Sequence, residues 1–223
     1  MTPRTMRAVL LGVKTNELLR PGWDAVRTAR AFLGERFALT ASQADQRLTV
    51  LTDETAAVSK AQLLAALAAA ARALGPGDLL VLLFSGHGSD EAAGAGWLLD
   101  EHAAPPDRIF TDQDLGAALA KFERGVELFV VSDCCYGAGI LAPAADLPAQ
   151  IIFASAADPH QGVIASRESR FVRALCAAIP GARSYRELDA RLRAANPSIQ
   201  DVWSVRAASS ALLDTAPLRS SVQ

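Results

Sequence analysis

The stretch Asp78–Phe84 (DLLVLLF) constrains the fold more than any other part of the chain, because every position after the first is apolar. A strand with one face in water alternates polar and apolar residues, whereas a strand covered on both faces does not. The run therefore predicts a central strand sandwiched between layers. Other strand-like runs lie at Arg7–Val13, Arg47–Leu51, Val126–Val131 and Gln150–Ala154, with a sixth at Val202–Val205. Between them the spacing of apolar residues turns helical. Trp23–Leu33 follows Pro21-Gly22 and carries Val26, Ala29, Phe32 and Leu33. Ser59–Leu74 sets Leu63, Leu64, Leu67 and Leu74 on an alanine background and is stopped by Gly75-Pro76-Gly77. Thr111 is placed to cap a helix running to Phe122, and two more helices are expected near Ser169–Ile179 and Ser184–Ala195. This alternation predicts an α/β fold with an about six-stranded, mostly parallel sheet and helices on both faces. Residues 86–110 are rich in Gly, Pro and Asp and lack a period, as a functional loop region would.

Composition narrows the class. A chain of 223 residues fits one domain, with the core expected over about 7–205 and a tail over about 213–223. Apolar residues at 51% exclude intrinsic disorder. Twenty-two basic against 24 acidic residues leave a net charge of -2, which argues against nucleic acid as a partner. No apolar stretch reaches the ~18–20 residues of a membrane span, and Ala8–Val13 is too short for a secretion signal. Three cysteines, an odd number, do not make a disulfide framework, so a reducing, cytoplasmic setting is expected.

In open α/β sheets ligands sit at the carboxyl ends of strands, and two strand ends here carry unusual chemistry. One reads Phe84-Ser85-Gly86-His87-Gly88 and the other Ser132-Asp133-Cys134-Cys135-Tyr136-Gly137. A cysteine attacks as thiolate and needs a base, which a histidine supplies and which can later protonate a leaving amine. Adjacent cysteines at an extended strand end point to opposite sides, so one of Cys134 and Cys135 faces His87. The backbone N–H groups of Gly88 and Cys135 are positioned to polarise a carbonyl oxygen, as an oxyanion hole does. Cys176 lies in the apolar helical run FVRALCAAI and reads as core, while His102 and His160 read as exposed loop residues. The ligand spacing of a structural zinc site is missing, so no metal is assigned. Neither a G-x-G-x-x-G nor a P-loop pattern is present.

His87 precedes Cys135 by 48 residues, and a histidine about 50 residues upstream of the nucleophile is a caspase signature. With Ser85–Gly88 ending one strand and Asp133-Cys134-Cys135 ending the next, the chain resembles the caspase-like cysteine peptidases of family C14. The likeness is to the metacaspase and prokaryotic caspase-homologue branch, and it runs from Arg7 to about Val205. It implies a caspase-like fold over 1–223 and a His87–Cys135 dyad, since the family pattern Asp-x-Cys selects Cys135 over Cys134. It also implies an acidic pocket for Arg or Lys built around Asp133 with Ser85, and substrate-contacting positions at Ser155 and Asp158. Two features depart from the family: Tyr136-Gly137-Ala138-Gly139 stands where His-Ser-Gly is usual after the nucleophile, and Asp24 stands alone where an Asn-Asp pair is common.

Charge distribution agrees with a basic substrate. Residues 85–158 hold 12 acids against 3 bases, a local net charge of -9, whereas residues from 159 onward hold nine arginines against five acids. The resemblance leaves calcium dependence open, with Asp90, Glu91, Asp100 and Glu101 as oxygen ligands to consider but no calcium-loop motif. Protein substrates and an upstream activating protease or regulator are the partners it implies, in regulated cell death, stress or antiphage defence. Tyr136–Gln150 contains no Lys or Arg, so an enzyme with this specificity would not cut itself there. The competing readings are a same-clan peptidase with a different side-chain preference and a catalytically silent homologue acting as a scaffold.

Overall fold

The computed structural model describes residues 4–14, 21–89, 95–100, 102–104, 106–140, 149–157, 170–196 and 203–219. The first half of the chain runs β1 (Met6–Gly12), α1 (Pro21–Arg36), α2 (Ala41–Arg47), β2 (Leu48–Thr52), α3 (Lys60–Ala73) and β3 (Leu79–Ser85). Three short strands follow, β4 (Gly88–Ser89), β5 (Gly96–Leu98) and β6 (Ile109–Thr111), and then α4 (Asp112–Leu119). The rest is β7 (Glu127–Asp133), β8 (Gln150–Ser155), α5 (Arg170–Ala178), α6 (Tyr185–Ala195), β9 (Ser204–Ala207) and α7 (Ser210–Leu213).

Six strands make the main sheet in the order β2-β1-β3-β7-β8-β9. All neighbours pair in parallel except β9, which lies antiparallel on β8. The expected mostly parallel sheet is present, and β3 and β7 are its middle. Because strand side chains alternate between faces, each strand divides its apolar residues between two cores. Leu80, Leu82 and Phe84 of β3 and Leu128 and Val130 of β7 pack with Leu63, Leu67, Leu115 and Leu119 of α3 and α4. Leu79, Val81 and Leu83, with Phe129 and Val131, pack with Val26, Leu33, Val172, Leu175 and Leu188 of α1, α5 and α6. Every residue of β3 is buried, which is the physical reason its sequence shows no alternation.

Helix starts follow the local chemistry. Ser59 and Thr111 each accept from the backbone three residues on, and Gln62 and Asp114 reach back to complete capping boxes. Two features escape the periodic reading. Helix α2 buries no residue, so it has no apolar stripe to betray it. Residues 86–110 contain a small antiparallel sheet, β4-β5-β6, whose strands of two or three residues are too short to show a period of two.

Residues 214–219, part of the expected tail, are docked on the body through Leu218, which is buried. Tyr185 holds it: the phenol accepts from the Leu218 N–H at 3.3 Å and donates to Glu127 Oε1 at 2.9 Å. The other Glu127 oxygen meets Arg4 at 3.0 Å. Arg36 donates to the Pro217 and Leu218 carbonyls at 3.4 and 3.2 Å. Burial, and then the Glu127 charge, push the Tyr185 phenol well above its ordinary value of 10. A raised value stabilises the fold fully below about pH 10, and that contribution is lost as pH rises further. Tyr185→Phe should cost about 1–3 kcal/mol, because it strands the Leu218 donor and takes one hydrogen bond from the Glu127 carboxylate. A lowered urea midpoint reads the loss, and the variant should also lose less stability than the wild type when pH is raised past 10.

Candidate active site

The site is built at the carboxyl ends of the two central strands. In the parallel ladder of β3 and β7, Ser85 is the register partner of Asp133. His87 follows Ser85 by two residues and Cys135 follows Asp133 by two, so both leave the sheet at the same level on neighbouring strands. One further backbone bond, from the Gly86 N–H to the Asp133 carbonyl at 3.3 Å, carries the pairing past the last rung. The Ser85 hydroxyl donates to Asp133 Oδ2 at 2.8 Å.

The two motif segments then touch directly. A Cβ on Gly88 would collide with the Cys135 carbonyl oxygen, so the residue after His87 has to be glycine for the Cys135 turn to lie against it. Strand β7 ends at Asp133, and Cys134–Ala138 turn away. Tyr136 sits at φ +55, a left-handed conformation that costs a non-glycine residue energy and is found at strained functional turns. This turn, rather than an extended strand end, separates the two cysteines. Cys134 is buried with its sulfur 3.3 Å from Ser132 Oγ, while Cys135 is partly exposed.

Burial raises the Cys134 thiol far above the ordinary range; the Ser132 hydrogen bond offsets part of this, and the nearby Asp133 and Cys135 charges add to it. Burial pushes the Cys176 thiol up to about 12. It lies on α5 against the same core as α1 and α6. Trp97 of β5 is fully buried, stacked on Phe84 at 4.8 Å and Phe110 at 5.8 Å, and donates from Nε1 to Ser132 Oγ at 2.9 Å. The sequence reading passed over Trp97 and Ser132. The apolar triplet Trp97-Leu98-Leu99 inside a Gly-rich region was the available signal.

The metacaspase peptidase C14 domain matches residues 6–144. The chain belongs to the metacaspase C14 family. That is a family of cysteine peptidases, and the matched segment contains Asp24, Ser85, His87, Gly88, Asp133 and Cys135. Metacaspase-4 of Arabidopsis thaliana is 28% identical over 189 residues, covering 80% of this chain and 44% of that protein. This metacaspase chain thus spans less than half the length of that curated relative. Among solved structures, protein GSU0716 from Geobacter sulfurreducens superposes with a TM-score of 0.73 at 22% identity, covering 97% of this chain and 99% of that one. Caspase-1 from Spodoptera frugiperda gives 0.52 at 14% identity over 92% and 86% of the two chains. Both likenesses are of fold, and the fold of this metacaspase chain is caspase-like.

The remaining residues singled out in the metacaspase resemblance are placed as follows. Asp24 lies in the first turn of α1 and accepts from Arg27 at 3.1 Å, half exposed. Its helix start is nonetheless against the site, since a Cβ on Gly22 would come within 2.7 Å of the Ser85 carbonyl. Ser155 ends β8 opposite Ser132, is buried, and turns its hydroxyl to the Ala157 carbonyl. Asp158 and His160 lie outside the described residues, as do Asp90, Glu91 and Glu101. Asp100 accepts from the His102 N–H at 2.9 Å, and His102 is exposed. The acids counted over 85–158 do not all face one cleft: Glu127 begins β7 at the far edge of the sheet with Arg4, and Asp114 is tied to Lys60 at 2.8 Å. Asp133 stands two residues before Cys135 and accepts from the Ser85 hydroxyl. Among the described residues no helix is long and apolar enough to cross a membrane.

The three thiols should separate in alkylation. Brief iodoacetamide treatment of native protein at pH 8 should label Cys135, because burial shields Cys134 and the raised thiols of Cys134 and Cys176 stay protonated. Peptide mapping by mass spectrometry reads the outcome, and equal labelling of Cys134 or Cys176 would contradict the placement.

Proposed function

We propose that the chain is a cysteine endopeptidase that hydrolyses protein substrates after Arg or Lys, with His87 and Cys135 as its dyad. The observation that carries this reading is the shared register of Ser85 with Asp133, with His87 and Cys135 each two residues past the ends of those adjoining strands. His87 takes the Cys135 thiol proton, and the thiolate attacks the scissile carbonyl carbon. The oxyanion formed is stabilised by the N–H groups of Gly88 and Cys135. His87 then gives its proton to the leaving amine, and a thioester joins the acyl half of the substrate to Cys135. Water, deprotonated by His87, hydrolyses that ester and restores the thiol.

Specificity follows from Asp133. Its carboxylate stands beside the nucleophile segment with the Ser85 hydroxyl donating to it, and an anion there favours a cationic side chain before the cleaved bond. Self-cleavage within 136–150 is not part of activation, because that segment offers no basic residue to an enzyme of this specificity. Control by a separate regulator or upstream protease, in a cytoplasmic stress, cell-death or defence response, fits an enzyme of this kind.

Fluorogenic peptides ending in Arg, Lys and Asp test the assignment. Cleavage should be fastest after Arg or Lys, and faster cleavage after Asp would overturn the acidic-pocket reading. Cys135→Ala and His87→Ala should each lower kcat by roughly a thousandfold or more. Asp133→Asn should remove a charge-assisted contact of about 3 kcal/mol, lowering kcat/KM for the Arg peptide about a hundredfold.

A further inference from the structure

We infer that Trp97 is a positioning residue that ties the histidine segment to the nucleophile turn through a buried hydrogen bond to Ser132. This rests on the cysteine-peptidase reading of the same site and adds a residue that lies in neither motif.

The dyad residues stand beyond the last rung shared by β3 and β7, so the ladder alone does not hold them. Strand β5 supplies a second tie. Its backbone pairs Trp97 with Gly88, and the Leu98 N–H donates to the His87 carbonyl at 2.9 Å. The main chain around Trp97 therefore fixes the segment that carries His87. The side chain of the same residue reaches the other half of the site. The indole is fully buried and lies nearly parallel to both Phe84 (11°) and Phe110 (18°), whose rings form the slot it is stacked in. From that slot Nε1–H donates to Ser132 Oγ at 2.9 Å.

Ser132 passes the constraint on. An indole nitrogen only donates, so the hydroxyl oxygen accepts, and the hydroxyl lies 3.3 Å from the sulfur of Cys134, the residue before the nucleophile. Ser132 also accepts at its carbonyl from the Ala156 N–H at 3.1 Å, which fixes it from the β8 side. Buried tryptophans commonly find a partner for their N–H. Here that partner stands on the strand that ends in the nucleophile, while the backbone of the tryptophan belongs to the hairpin that holds the histidine. One residue thus sets both halves of the dyad, and displacements of about 1 Å between reacting groups are enough to cost large factors in rate.

The experiment uses Trp97→Phe, which keeps an aromatic ring in the stack and removes the donor, and Ser132→Ala, which removes the acceptor with little change in volume. Active sites are titrated with an irreversible arginyl chloromethyl ketone, so that kcat is expressed per reactive Cys135, and thermal midpoints are recorded alongside. Each variant should lower kcat per titrated site about tenfold or more, with KM within about twofold. The double variant should be no slower than the slower single one, because both remove the same link. Lower thermal midpoints with unchanged kcat per site, or losses that multiply in the double variant, would overturn the inference. If Trp97→Phe does not fold, Ser132→Ala decides alone by the same measure. A wild type inert to both the ketone and the Arg peptide would instead overturn the peptidase reading, and this inference with it.

Discussion

Parallel pairing of β3 with β7 is the constraint on which the rest of the molecule depends. It places Ser85 opposite Asp133 and so brings two sequence segments 48 residues apart to the same level of one sheet edge. A slip of one residue would turn each side chain of β7 to the other face. That would exchange Leu128 and Val130 with Phe129 and Val131 between two different cores. The cost of such an exchange is several kcal/mol of lost packing. The register of the site is therefore enforced by the cores on either side of the sheet.

The chain is held tightly where it leaves that sheet. Tyr136 adopts a positive φ directly after Cys135, and Gly88 is pressed on the Cys135 carbonyl. The small sheet β4-β5-β6 grips the other flank, with Trp97 and Phe110 continuing the aromatic stack that starts at Phe84. Such a turn persists only because its surroundings over-determine it. The same surroundings divide the thiols, sinking Cys134 beside Ser132 and leaving Cys135 at the surface of the turn.

Much of this architecture was legible in the residues. The uniformly apolar β3, the alanine-rich α3 with Ser59 at its start, and the Thr111 cap have local causes that act wherever the chain goes. Ser85–Gly88 and Asp133–Cys135 were readable as strand ends for the same reason, and they carried the resemblance to the C14 peptidases before any geometry was known. Helix α2 was not legible, because a helix that buries nothing leaves no apolar stripe. The small sheet was not legible either, since strands of two or three residues carry no measurable alternation. The acidity counted over 85–158 was real but misleading as a map, because Glu127 and Asp114 spend their charge on Arg4 and Lys60.

By itself the sequence determined the long apolar strands, the helices with an apolar stripe, and the imidazole and thiols that stand at two strand ends. These properties depend on side-chain chemistry and on neighbours within a few positions. Only the tertiary structure decided that β9 runs antiparallel, that Leu218 returns to Tyr185, and that an indole on β5 reaches Ser132 on β7. Each of those depends on contacts between residues distant in the chain, whose energies exist only after the sheet has closed and the two cores have excluded water.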